Sequence, residues 1–205
     1  MPWFRPVELT DMIEQRHDRK AVPWDSPSLL LCDGTGRFDQ ASCGDEWIAT
    51  SIGCFDKATQ EQPDLIFVRF GVEGTGKREC LLELCAALKR NRHTRGCTVV
   101  AMLPGWHRAL LERLRKASVD YVLRIGDTIL DEPQLRVATA SLGVSDRPDR
   151  LLEQLCPFLR DCAGGITVCG AYLDRMVLGG PRLRAVCHTE NHCWCAYYLR
   201  PRCAS

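Results

Sequence analysis

PDLIFVRFGVEGTGKRECLLELCAALKRN, residues 63–91, decides the fold class. Pro63 opens it, and Asp64–Phe70 then runs continuous and apolar, as a strand buried on both faces reads. A glycine-rich turn follows. From Lys77 to Asn91 the period changes: Cys80, Leu81, Leu84, Cys85, Ala87 and Leu88 recur at helical spacing, an amphipathic stripe. Cys80 and Cys85 are expected there as buried small hydrophobes.

The same alternation continues on both sides. SLLLC (28–32) is a short apolar strand ending in the turn Asp33-Gly34-Thr35-Gly36. EWIATSI (46–52) reads as a strand and Phe55–Gln62 as a short polar helix. TVVAML (98–103) is a strand closed by Pro104-Gly105, Trp106–Ala117 a helix with Leu110, Leu111 and Leu114 facing inward, and VDYVLRI (119–125) a strand. Strand, helix, strand, helix, strand with short loops predicts an α/β fold: a doubly wound parallel sheet covered on both faces. Residues 1–27, with four prolines, are expected as an N-terminal arm around a possible helix at Val7–Arg19, residues 28–130 as the sheet domain, 131–150 as a connector with room for a short helix, and 151–205 as a small Cys-rich domain.

The chain has 205 residues, 27 Lys+Arg against 26 Asp+Glu, and an ordinary apolar share of 45%, so global disorder is not expected. A net charge of +1 excludes a basic coat that neutralises phosphates, and a nucleic-acid partner is not expected. No apolar run approaches the ~18–20 residues a membrane span needs. The first residues lack the apolar core of a secretory signal, so a cytoplasmic location is expected. The outlier is cysteine, with 13 residues, seven of them after residue 155. In a reducing compartment clustered thiols bind metal or do redox work more often than they form disulfides. Residues 150–205 also carry seven Arg against four acids, hence +3, and the rest of the chain −2.

Gln62-Pro63-Asp64-Leu65-Ile66 and Val119-Asp120-Tyr121-Val122-Leu123-Arg124 resemble the third- and fifth-strand signatures of response-regulator receiver domains, and the likeness spans about residues 28–130. The resemblance implies a flavodoxin-like order of five strands and a phosphoryl-accepting Asp at the end of the third strand. Arg69 stands at that position. Arginine cannot accept a phosphoryl group, and it places a positive charge where the family holds Mg2+. The acidic pair after the first strand is reduced to Asp33, and the Lys-Pro after the fifth strand is matched by Arg124-Ile125. The short, polar Gly34–Asp45 loop leaves no room for the family's first helix. Asp33, Arg69 and Arg124 therefore mark a degenerate phospho-site: a receiver scaffold without phosphotransfer, of the kind that serves as a docking platform.

Gly71-Val72-Glu73-Gly74-Thr75-Gly76-Lys77-Arg78 satisfies the glycine spacing of a phosphate-binding loop between a strand and a helix. Gly71, Gly76 and Lys77 are its candidate nucleotide contacts. Arg78 replaces the hydroxyl that would bind Mg2+, and Glu73 would repel phosphate, so a solvated turn is the competing reading.

Near the C-terminus, Cys156-Pro157-Phe158-Leu159, Cys169-Gly170-Ala171-Tyr172, the isolated Cys187 and Cys195-Ala196-Tyr197-Tyr198-Leu199 resemble cysteine modules that close bacterial sensor and regulator proteins. The resemblance implies a ligand set of Cys156, Cys169, Cys187 and Cys195, with Cys162 and Cys193 as alternates and Cys203 free. A segment of ~50 residues lacks the core to stand alone, so a metal or cluster would supply the missing stability. Four thiolates suit tetrahedral Zn2+ or an iron–sulfur cluster. The wide, uneven gaps of 12, 17 and 7 residues are unlike paired zinc knuckles and favour a [4Fe–4S] cluster, with zinc the alternative and metal-free thiols the third possibility. His188 and His192 are ligands of a mixed site or, more simply, neighbours of it. Trp194, Tyr197 and Tyr198 are expected to shield the centre from water.

His107 reads as a helix-start residue rather than a base, and Arg90, Arg92, His93 and Arg95 as a solvated turn with the option of docking an acidic group. The expected protein is a non-catalytic regulator or adaptor. It would sense redox state or oxygen, or dock a protein partner such as a sensor, a regulator or a redox complex. The alternatives are an electron-transfer or accessory subunit of such a complex and a nucleotide-binding enzyme using Gly71–Lys77.

Overall fold

The structure, a computed structural model, describes residues 28–35, 47–71, 75–125, 132–162, 166–173 and 176–202. The expected N-terminal arm, most of the Gly34–Asp45 loop, Val72–Gly74, Cys43 and Cys203 lie outside them. Five parallel strands, β1 (Leu29–Cys32), β2 (Trp47–Ile48), β3 (Leu65–Arg69), β4 (Thr98–Leu103) and β5 (Tyr121–Arg124), form one sheet in the order β2-β1-β3-β4-β5. This is the doubly wound, receiver-like order expected from the sequence. Register is continuous across its centre, with Cys32 opposite Val68 and Val68 opposite Ala101.

Strand residues alternate between two apolar layers because successive side chains leave a strand on opposite faces. Leu30, Cys32, Ile66, Val68, Val99, Ala101 and Val122 meet three helices: α1 (Ser51–Glu61), α2 (Thr75–Arg90) and α3 (Arg108–Lys116). Leu29, Leu31, Phe67, Val100, Met102 and Leu123 form the other layer. That layer is closed by α4 (Glu132–Ser141), through the fully buried Leu135 and Ala138. The stretch read as a connector is thus largely helical: α4, a 3-10 turn at Val144–Asp146 and α5 (Pro148–Gln154). Its two prolines suggested breaks, but Pro148 sits in the first turn of α5, where a missing N–H costs nothing.

The expected strand 46–52 shrinks to two residues. Thr50 accepts a hydrogen bond from the Gly53 N–H at 3.1 Å and caps α1, so the helix begins at Ser51. It ends at Gln62, left-handed at φ 49°, because the residue before Pro63 is driven out of helical geometry. On α2 the buried stripe is Leu82, Leu84, Cys85 and Leu88. Cys80, expected inside, is exposed: it lies in the first turns of α2, which border a cavity instead of the sheet.

Three thiols from different elements meet in the core. Cys32, Cys54 and Cys85 are all fully buried. The Cys54 thiol is pushed far up by its hydrogen bond with Cys32, then by burial and by the charge of Cys32 and Cys85. Cys85 is pushed up by burial, then by Cys32. Cys54 and Cys85 are neutral small hydrophobes at ordinary pH.

Beyond α5, β6 (Leu159–Asp161), β7 (Thr167–Cys169) and β8 (Met176–Val177) form a small antiparallel sheet. A helical turn (Gly180–Arg182), a π-helical turn (Leu183–Cys187), a 3-10 turn (Glu190–Trp194) and α6 (Ala196–Leu199) follow. The apolar cluster under α1–α3 continues through Leu151, Leu152 and Leu155 into Cys156, Cys169 and Cys187. Arg108 of α3 fastens this joint by donating to the carbonyls of Leu152 (3.2 Å) and Leu155 (3.1 Å), the unsatisfied carbonyl end of α5.

Candidate functional site

Each of the four expected thiols is delivered by a different piece of backbone. Cys156 follows the C-terminus of α5, and its N–H donates to the Cys187 carbonyl at 2.8 Å. That bond ties the first of the four residues to the third. Cys169 ends β7 opposite Leu159 of β6. The next residue, Gly170, lets the strand turn tightly: a Cβ there would lie 3.1 Å from the Phe158 carbonyl and from Arg160. Cys187 closes the π-helical turn, and Cys195 stands just before α6. Cys156, Cys169 and Cys187 are 6–7% exposed, and Cys195 is half-buried.

The four thiols share one electrostatic neighbourhood. Burial pushes the Cys156 thiol up, the Phe158 N–H and Arg108 work against this, and the charges of Cys169 and Cys195 add to it. Cys187 is pushed up to about 11 by burial and then by Cys156, Cys169 and Cys195, with Arg182 opposing. For Cys195 burial also raises the value, but the N–H groups of Tyr198 and Tyr197 and the Arg182 guanidinium outweigh it, and the net shift is down. Arg182 Nη2 reaches Cys195 Sγ at 3.6 Å. Among the described residues no three His, Cys, Asp or Glu side chains already stand as one metal's ligand set. The four thiols share a field, not a closed coordination shell.

The surroundings separate this set from its alternates. Cys162 and Cys193 are exposed. His192 is 5% exposed, with Nδ1 donating to the Thr189 carbonyl at 2.7 Å and its ring edge-on to Tyr198. That is the bonding of a structural histidine. Tyr197 packs on Tyr172 and Tyr198 on Phe158, with ring centroids 5.1 and 6.0 Å apart, so Tyr172 and Phe158 complete the aromatic cover. Trp194, expected to shield the centre, is 85% exposed. The 3-10 turn before Cys195 directs it to solvent, so nearness in sequence misled here. Three buried thiols on one apolar cluster, with half-buried Cys195 in their field, are donors of the type that Zn2+ or an iron–sulfur cluster takes, though they do not stand as a closed ligand set.

The degenerate phospho-site is an ion pair. Asp33, fully buried after β1, accepts hydrogen bonds on Oδ1 from the Thr35 N–H (2.8 Å) and hydroxyl (2.6 Å). Its Oδ2 faces Arg69 Nη1 at 3.8 Å, and Arg69 is 3% exposed. Arg124 ends β5 at the same sheet edge, half-buried. Gly71, Gly76 and Lys77 line a cavity of about 340 Å3 at that edge, with part of the loop outside the described residues. His107 precedes α3 without a side-chain cap bond, as a helix-start residue. Arg92, His93 and Arg95 are exposed on the turn after α2, where Arg92 Nε bonds His93 Nε2 at 2.8 Å.

No family model and no curated protein matches the chain. Among solved structures, a DNA-binding response regulator of the LuxR family from Staphylococcus aureus superposes with a TM-score of 0.40 at 15% identity, covering 55% of this chain and 97% of that one. No helix among the described residues is long and apolar enough to cross a membrane.

Proposed function

We propose that the chain is a non-catalytic regulatory or adaptor protein in which a four-thiolate centre controls a receiver-like docking domain. The observation that carries this reading is the placing of Cys156, Cys169 and Cys187, from separate segments, on the apolar cluster that also underlies α3, with Cys195 in their electrostatic field. A bound metal or cluster would cross-link those segments and offset the burial that pushes the Cys156 and Cys187 thiols up. A [4Fe–4S] cluster would add sensitivity to oxygen and redox state, and Zn2+ would add structure alone. Arg108 links the residue before Cys156 to α3, so order in the Cys segment would reach the surface of the sheet domain. Phosphorylation plays no part in this reading, because Arg69 fills the acceptor position and is held by Asp33.

The test is metal and sulfide content, with a visible spectrum, on anaerobically purified full-length chain. About four Fe and four sulfide per chain, with visible absorption lost in Cys187→Ala, are expected for the cluster. A reversible reduction potential together with a stable complex with another redox protein would favour an electron-transfer subunit. One zinc and no colour would leave a zinc-stapled docking protein. No bound metal would overturn the centre.

A further inference from the structure

The cavity at the carboxyl edge of the sheet lies where β1 and β3 diverge toward opposite sides, the switch point at which open parallel sheets bind ligands. Its volume of about 340 Å3 falls within the range of small-molecule clefts, roughly 300–1000 Å3. Arg69 from the end of β3 and Lys77 and Arg78 from the first turns of α2 line it, and no carboxylate stands among its described lining residues. Thr50 and Ser51 add hydroxyls, and the positive end of the 16-residue α2 helix borders the same space. Arg78 Nε is buried there without a hydrogen-bond acceptor among the described residues. A buried charged donor lacking an acceptor is costly, and an anion in the cavity would supply one.

We infer that this cavity is an anion site for a small phosphate-bearing molecule, recognised by the side chains of Arg69, Lys77 and Arg78. The charge argues against a divalent cation. Asp33, outside the described lining, faces Arg69 at 3.8 Å and has one oxygen held by Thr35. The site also differs from a phosphate loop with Mg2+, because side chains of β3 and α2 carry it and Arg78 stands where the magnesium ligand would be. A planar guanidinium suits a tetrahedral oxyanion better than an ammonium does. The site is independent of the thiol centre.

Calorimetric titration of the full chain with inorganic phosphate, with ADP in the absence of Mg2+, and with MgCl2 tests the inference. ADP and phosphate are expected to bind and MgCl2 not to. Tighter ADP binding would identify an organic phosphate as the ligand class, and equal affinity a free oxyanion. Lys77→Gln and Arg78→Gln are each expected to weaken binding about tenfold or more. Arg69→Lys, which keeps the charge beside Asp33, should weaken it less than Arg69→Met. Failure of both phosphates to bind, binding unchanged in Lys77→Gln and Arg78→Gln, or binding of Mg2+ in their place would overturn the site. Metal content measured on the same variants should match wild type, so that failure here is separable from failure of the thiol centre.

Discussion

At the scale of single residues, buried charge and buried thiols govern the sheet domain. Asp33 and Arg69 are 0% and 3% exposed and face one another at 3.8 Å. Removing one partner strands a charge in the core, so Arg69→Met should cost about 3–5 kcal/mol in denaturant unfolding. The double variant Asp33→Asn/Arg69→Met should recover most of that loss, since an unpaired charge no longer remains. If the double variant is as unstable as the single one, the pair is not the source of the cost. The core thiols set a pH dependence. Cys54 and Cys85 are both held above the ordinary value of 9.0, Cys54 by its bond to Cys32 and by burial, Cys85 by burial. Unfolded thiols ionise near 9 while the folded ones keep their protons, so the folded state binds more protons above that pH. Stability should therefore fall as pH rises past about 9, by up to ~1.4 kcal/mol per pH unit per thiol. Cys54→Ala should flatten the slope, as read by unfolding curves at a series of alkaline pH values.

Among the elements, α4 and α6 have roles that local sequence hides. Leu135 and Ala138 of α4 seal one face of the sheet. Leu135→Ala should destabilise the whole domain by about 2–5 kcal/mol in equilibrium unfolding. An effect no larger than that of an exposed neighbour such as Val137 would show that α4 is dispensable. The aromatic cover near α6 comes from Tyr197 and Tyr198 packed on Tyr172 and Phe158. For the proposed thiolate centre, Tyr198→Ala should speed loss of metal to a chelator several-fold, while Trp194→Ala, at an 85% exposed position, should leave the rate unchanged. The two rates can be followed on the same purified preparations.

At the scale of the molecule, the apolar cluster beneath α1–α3 runs unbroken into the three buried cysteines of the C-terminal segment. If the proposed centre binds metal, loading it is expected to slow amide exchange in α3 as well as around the four thiols. Arg108→Ala removes the two bonds to Leu152 and Leu155 and should reduce the protection of α3 without changing metal content. Protection confined to the C-terminal segment in wild type would show that the two regions are not coupled.

Periodicity by itself determined much of this protein. The runs at 28–32, 64–70, 98–103 and 119–125 are apolar enough to be buried strands in any context, and the helices between them force parallel pairing. The unusual density of C-terminal cysteine was also plain in the chain, and motif likeness singled out Cys156, Cys169, Cys187 and Cys195. Tertiary structure decided the rest, because burial is a property of what lies opposite a residue and not of the residue itself. It turned Trp194 and Cys80 outward, made a sheet-covering helix of a polar, proline-bearing stretch, and collected Cys32, Cys54 and Cys85 from one strand and two helices. It also set Arg69 against Asp33, 36 positions away in the chain, a pairing that no local pattern encodes.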